Sequence, residues 1–220
     1  MAAQQVVKLV GSSRFRPFRN LWMLEELGIA YEHIPAKPHS AESRANPGFP
    51  NKVPSLVVGG EVTLFESAAI NTFLADRFRG VAKADLVPVA GSAARGVYDQ
   101  WVHCGMAELD AQALWIHRKH DALADVLAPK DPVATLTARK HAAAVVKVFA
   151  EAIRGDGYLV EAHGFSAADI LFVHCCNWAE SIGWADDWPD ALGSDLHGAL
   201  GSYLERCRSR AAYARAKALP

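Results

Sequence analysis

The stretch NPGFPNKVPSLVVGGEVTLFESAAI, residues 46–70, decides how the first part of the chain folds. Two β-rich runs, SLVV (55–58) and EVTL (61–64), flank Gly59 and Gly60. A Gly-Gly pair is what a tight antiparallel turn asks for, because both central residues take positive φ. Pro54 stands at the mouth of the first run. After the second, Glu66 and Ser67 open a segment in which Ile70, Phe73, Leu74 and Phe78 recur at helical spacing. The stretch therefore reads β-β-α.

Upstream, VVKLVG (6–11) is a short apolar run ended by Gly11, which predicts a buried strand. FRNLWMLEELG (18–28) predicts a helix stopped by Gly28 and apolar nearly all round, so covered on two sides. YEHI (31–34) alternates like a second strand. The order β-α-β, loop, β-β-α describes a small sheet mixing parallel and antiparallel strands, with helices packed on it.

Downstream, GVAKADLVPVAG (80–91) has the texture of a connector. No strand pattern follows. Residues 92–120 form a long helical pattern rich in Trp and His. Asp131 as N-cap with Pro132 at the first helical position predicts a helix running to Gly155. In FSAADI (165–170), Ser166 and Asp169 have capping-box spacing, flanked by Phe165 and Ile170 as a hydrophobic staple. A final helix is expected over 196–218. The predicted organisation is an α/β module over 1–80, a linker over 81–91 and an all-α module over 92–220.

Composition narrows the function classes. A net charge of −1 offers no basic excess to steer phosphates, which argues against a general nucleic-acid or anionic-membrane binder. No apolar run approaches the roughly 18 residues a membrane span needs. MAAQQVVKLV lacks the pattern of a signal peptide, so a cytoplasmic protein is expected. Cys104, Cys175, Cys176 and Cys207 show no C-x-x-C spacing and are expected to be free thiols, with no metal site.

In this order and spacing, LWMLEELGIAYE (21–32), NKVPSL (51–56), FESAAI (65–70), FSAADI (165–170) and YLERCRSRAAYARA (203–216) resemble the cytosolic glutathione transferases over essentially the whole chain. The resemblance is to a bacterial-like, serine-type class. It implies a thioredoxin-like N-terminal domain, an all-helical C-terminal domain and a homodimer. Glutathione would be the co-substrate and a small, mostly hydrophobic electrophile its partner, in a detoxification reaction. A proline matching Pro54 would be cis, turning the backbone of Val53 toward the ligand's cysteinyl unit as in strand addition. Ser67, at a helix N-terminus, would take the γ-glutamyl carboxylate, with Glu66 beside it, and Lys52 would lie near the glycyl carboxylate.

A hydroxyl after the first strand would favour the glutathione thiolate, which is the nucleophile; both Ser12 and Ser13 are available. S-S-R-F-R-P-F (12–18) also resembles the omega-class stretch S-x-R-F-C-P-F. Arg16 stands where that class has its cysteine, so mixed-disulfide chemistry is not expected; with Arg14 and Arg19, it would add positive potential. Tyr98, Trp101, His103, Met106 and Trp115 on the first long helix of the second module are the natural lining for the electrophile. The same scaffold is compatible with peroxidase, isomerase or dehalogenase chemistry, and with a non-catalytic binding or regulatory role.

Overall fold

A computed structural model describes residues 6–46 and 48–220. Residues 1–5, on which the reading of the N-terminus partly rests, and Pro47 lie outside them. The chain divides into two compact units, the described part of Met1–Val89 with Arg208–Pro220, and Ala90–Cys207.

In the first unit, strands β1 (Val7–Val10), β2 (Glu32–Ile34), β3 (Ser55–Val58) and β4 (Val62–Phe65) form a sheet of order β2-β1-β3-β4. β1 pairs parallel with β2; the other neighbours are antiparallel. Gly59 and Gly60, at φ 56° and 73°, make the β3–β4 turn. Helix α1 (Phe18–Leu27) ends at Gly28, whose φ of 63° makes it a left-handed cap. Eight of its ten residues are buried, as an all-round apolar helix requires. A short α2 (Ala41–Arg44), capped by Ser40, interrupts the loop after β2, and α3 (Ser67–Arg77) follows β4. This is the thioredoxin-like arrangement.

The second unit has no strand among its described residues. Helix α4 (Ala93–Cys104) widens into π-type turns over Gly105–Leu114, then continues through α5 (Trp115–His117) and a second wide stretch over Arg118–Ala122. In α6 (Pro132–Ala152), the Asp131 carboxylate accepts the N–H groups of Val133 and Ala134 at 3.0 and 2.9 Å. The helix ends three residues before Gly155, because Ile153 turns extended (ψ 117°) and is buried. α7 (Ala167–Ser181) is buried along most of its length. A 3₁₀ turn (Trp184–Asp187), α8 (Trp188–Leu192) and α9 (Ser194–Arg208) complete the unit. Phe149 of α6 stacks on Phe172 of α7 at 4.3 Å.

The terminal segment departs from expectation. A single helix over 196–218 is predicted, but the chain breaks at Arg210, whose backbone is extended (ψ 132°), and resumes as α10 (Ala211–Lys217). Arg208–Pro220 belong to the first unit. Ala212, Tyr213 and Ala216 are buried, and the Tyr213 ring meets Trp22 and Phe18 of α1 edge-on at 4.9 and 5.4 Å. Arg210 grips Glu26 with two hydrogen bonds of 2.6 and 2.8 Å, and Arg215 holds Glu25 at 2.6 Å. The expected linker is also partly absorbed: Leu86 and Val87 are buried, and residues up to Val89 belong to the first unit.

One buried group makes the second unit sensitive to acid. His117 is 8% exposed, lies edge-on to Trp184 at 5.4 Å, and has no partner for Nδ1 among the described residues. Burial lowers its pKa, outweighing the upward pull of Asp121, whose carboxylate lies 3.3 Å from Nε2. A lowered folded pKa means that the unfolded chain takes up a proton first, near pH 6.5. Stability is therefore lost as pH falls from about 6.5 through the folded value. Urea midpoints should decline more steeply between pH 7.5 and 5.5 for the wild type than for His117→Gln; equal slopes would assign the acid sensitivity elsewhere.

Candidate functional site

The sheet register sets the site. Val10, Ser55 and Phe65 form one row across β1, β3 and β4. Ser12, Val53 and Ser67 each lie two residues beyond that row, at the same end of the sheet. The turn at Gly59 and Gly60 is at the other end. The space beyond the carboxyl ends of parallel strands such as β1 and β2 is where open α/β sheets hold ligands.

Gly11, at φ 141°, starts the loop after β1. A Cβ there would fall 2.2 Å from Pro17 Cγ and 3.2 Å from Val53 Cβ, so this loop and the Val53 segment are in close approach. The loop is fastened to β2 and the residues after it. Gly11 N–H donates to Ile34 O (2.9 Å), Ser12 N–H to Ala36 O (2.8 Å), and the Nε2–H of His33 to Gly11 O (2.7 Å). The two candidate serines differ. Ser12 is 5% exposed and its Oγ accepts Arg14 N–H at 3.3 Å. Its own proton has no acceptor among the described residues. Ser13 directs its N–H to Pro220 O (3.1 Å) and its hydroxyl to Leu219 O (2.5 Å).

The Val53–Pro54 bond is cis. Val53 is half-buried, and neither its N–H nor its C=O has a hydrogen-bond partner among the described residues. Lys52 is exposed, with its Nζ 4.4 Å from the centre of the Phe49 ring.

Glu66 caps α3 at φ 71° and ψ 111°, a left-handed conformation that costs a residue with a side chain on the order of 1–3 kcal/mol. Such strain clusters at ligand sites. The first N–H of α3 to bond within the helix is that of Ile70, to Glu66 O at 2.9 Å. Those of Ser67, Ala68 and Ala69 have no partner among the described residues, and with the helix dipole they favour an anion.

The three arginines expected to add positive potential separate. Arg14 is exposed and Arg16 half-buried, while Arg19 is 0% exposed and donates Nη1–H to Ser67 Oγ at 3.1 Å. Ser67 itself is 4% exposed. Asn20 Nδ2 donates to Ser67 O (2.8 Å) and to Asn71 Oδ1 (2.7 Å), and Asn71 Nδ2 to Arg19 O (3.3 Å). Asn20, Asn71 and His33 carry no motif that marks them in the sequence. A signal does exist: an Arg-Asn pair inside an otherwise apolar helix, and a Ser67–Asn71 pair at i,i+4 on α3.

The five aromatic and polar residues of the helical unit do not share one environment. Tyr98 is 0% exposed, with the Arg95 guanidinium 5.7 Å over its ring, so it is a core residue rather than a lining one. Trp101 is half-buried and packs on Phe149 at 4.7 Å. Met106 and Trp115 are half-buried, and His103 is exposed. Cys175, Cys176 and Cys207 are buried free thiols, Cys104 a half-buried one. Among the described residues no three His, Cys, Asp or Glu side chains gather as metal ligands. No helix among them is long and apolar enough to cross a membrane.

Residues 5–76 match the family model for the glutathione S-transferase N-terminal domain. No curated protein matches the chain by sequence. Among solved structures, glutathione transferase F7 from Populus trichocarpa superposes with a TM-score of 0.77 at 18% identity, over 96% of this chain and 97% of its own. The glutathione transferase URE2P6 from Phanerochaete chrysosporium, in complex with oxidized glutathione, gives 0.75 at 21% identity, over 98% and 96%. A glutathione transferase from Pseudomonas putida, with one glutathione disulfide bound per subunit, gives 0.75 at 21% identity, over 100% and 94%. The chain thus has the fold of glutathione transferases: a thioredoxin-like unit with a four-stranded mixed sheet, followed by a helical one.

Proposed function

We propose that the protein is a serine-type glutathione transferase that activates glutathione as its thiolate for attack on a small electrophile. One observation carries this. The register brings an uncommitted hydroxyl proton (Ser12), an unpartnered backbone N–H and C=O (Val53) and the open N–H groups of α3 to one end of the sheet. These are the groups a γ-glutamyl-cysteinyl peptide asks for. The cysteinyl backbone pairs with Val53 as an added strand would. The γ-glutamyl carboxylate takes the N–H groups at Ser67, and Glu66 meets the ammonium. Arg19 has only donors to offer, so Ser67 Oγ accepts from it and turns its own proton toward the carboxylate. Ser12 is the thiolate donor, because both donors of Ser13 are already engaged. Lys52, exposed at the loop, is free to swing to the glycyl carboxylate, and Arg16 adds positive potential near the sulfur.

That two structures of this fold hold oxidized glutathione or its disulfide supports the choice of ligand. The electrophile is taken up by the helical unit, with Trp101, Met106 and Trp115 as the residues whose partial exposure suits contact.

Calorimetric titration with glutathione, together with ultraviolet titration of the bound thiol, tests the reading. Binding with a thiol pKa well below the free value of about 8.5 is expected. Binding with an unshifted pKa would make the protein a carrier, and no binding would reject glutathione as the ligand.

A further inference from the structure

Ser13 ties the loop after β1 to a segment more than two hundred residues away. Its hydroxyl donates to Leu219 O at 2.5 Å and its N–H to Pro220 O at 3.1 Å. The segment that accepts these bonds is itself firmly held. Leu219 N–H bonds back to Ala216 O at 3.3 Å, and α10 is fastened to α1 by Arg210–Glu26 and Arg215–Glu25 and by the Tyr213, Trp22 and Phe18 rings. A further bond runs from Arg215 Nη2–H to Glu25 O at 2.9 Å. On its other side the loop is pinned at Gly11 and Ser12 by His33, Ile34 and Ala36. The two serines of the loop are therefore clamped from both sides, Ser12 through its N–H to Ala36 and Ser13 through Leu219 and Pro220.

Resting on the glutathione reading, we propose that Ser13 and the Leu219–Pro220 segment form a latch that orients Ser12 toward the glutathione sulfur. Ser13 is then a positioning residue and not a thiolate donor. The physical link is short. Ser12 Oγ is held by Arg14 N–H at 3.3 Å, and the Ser13 residue lies between those two groups. Freed from Leu219 and Pro220, the Ser13 backbone can rotate, which carries Arg14 N–H away from Ser12 Oγ and lets the Ser12 hydroxyl turn from the ligand. The latch also leaves the sulfur a single hydroxyl to meet, because the neighbouring one is occupied.

The test compares wild type, Ser13→Ala, a deletion of Leu219 and Pro220, the two combined, and Ser13→Thr, which keeps the hydroxyl. The readouts are the pKa of the bound glutathione thiol and the dissociation constants of glutathione and of S-methylglutathione, which has no ionisable thiol. Each lesion is expected to raise the bound-thiol pKa and to weaken glutathione binding by about fivefold, the worth of one net hydrogen bond. S-methylglutathione should bind within about twofold of wild type, the combination should be no worse than either lesion alone, and Ser13→Thr should behave as wild type.

Effects that multiply in the combination, or a thiol pKa unmoved by both lesions, would overturn the latch. So would a pKa raised by Ser13→Ala and not by the deletion, since Ser13 would then be a donor in its own right. Should the deletion fail to fold, Ser13→Ala against Ser13→Thr decides alone, by the same pKa readout. A wild type that binds no glutathione is a separate result: it removes the functional reading first and the latch with it.

Discussion

Replacing Asp169 with alanine is expected to lower the unfolding free energy by about 4 kcal/mol, among the larger effects a single substitution produces. This carboxylate is fully buried and accepts four hydrogen bonds: from Leu159 N–H (3.0 Å), Ser166 N–H (2.8 Å), the Ser166 hydroxyl (2.8 Å) and the Tyr203 hydroxyl (2.8 Å). Burial pushes its pKa up, and the four donors pull it back by favouring the charged form. Truncation leaves two backbone N–H groups and a phenol without their acceptor, at about 1–3 kcal/mol for each group that stays buried and unsatisfied. Tyr203→Phe removes one donor of four and is expected to cost about 1–2 kcal/mol. The double variant should lose less than the sum, since both act on one network. Tryptophan fluorescence in urea is the natural probe, because Trp101, Trp115, Trp178, Trp184 and Trp188 all lie in this unit and only Trp22 lies outside it. A loss below about 1 kcal/mol would mean that the network is not the anchor of α7.

Ser12→Ala is expected to raise the pKa of the bound glutathione thiol by between about one and two units and to weaken glutathione binding at pH 8 by about fivefold or more, at least as much as the lesions at Ser13 and Leu219–Pro220. A hydrogen bond to a charged group is worth about 1.5–3 kcal/mol, and each unit corresponds to about 1.4 kcal/mol. The effect on rate is smaller than the change in thiolate fraction. At pH 6.5, raising the pKa from about 7 to about 8.5 cuts the thiolate more than twentyfold, but the more basic sulfur is about fivefold more nucleophilic. Single-turnover conjugation of a chloronitrobenzene should therefore slow by roughly fivefold at that pH, match the wild-type rate near pH 8 and exceed it by roughly threefold to fourfold near pH 9. A uniform slowing across pH would point to lost positioning instead of lost thiolate stabilisation.

Local chemistry made much of this molecule legible in its sequence. The Gly59-Gly60 turn, the Asp131-Pro132 start of α6 and the capping box at Ser166 and Asp169 are short-range signals, and each element begins where its signal stands. The segments at Ser12, Pro54 and Ser67 stood out as site residues through the resemblance to the cytosolic glutathione transferases, not through local chemistry alone. Long-range causes were not legible. No Pro or Gly marks the break between α9 and α10. That break serves ion pairs from Arg210 and Arg215 to α1, 184 and 190 residues away in the chain, which local pattern does not encode. The engagement of Ser13 by Leu219 and Pro220 follows from the same return of the chain, so Ser12 and Ser13 look equivalent in sequence and are not in the fold. Tyr98 and Trp101 lie at helical spacing on α4, yet one is core and the other half-exposed. An aromatic pattern alone does not separate those outcomes.

Because Ser12, Val53 and Ser67 are all hung from the Val10–Ser55–Phe65 row, the sheet acts as a ruler that keeps three chain segments in step. A ruler has a tolerant end and an intolerant one. Length added between Gly59 and Gly60, where the turn is exposed and a side chain at Gly60 would meet nothing within 4 Å, leaves the row untouched. One residue added between Val10 and Ser12, or between Val53 and Ser55, puts the marks out of register at the end where they are read. The hairpin turn is accordingly the place in this unit to carry a label, a tag or an inserted peptide.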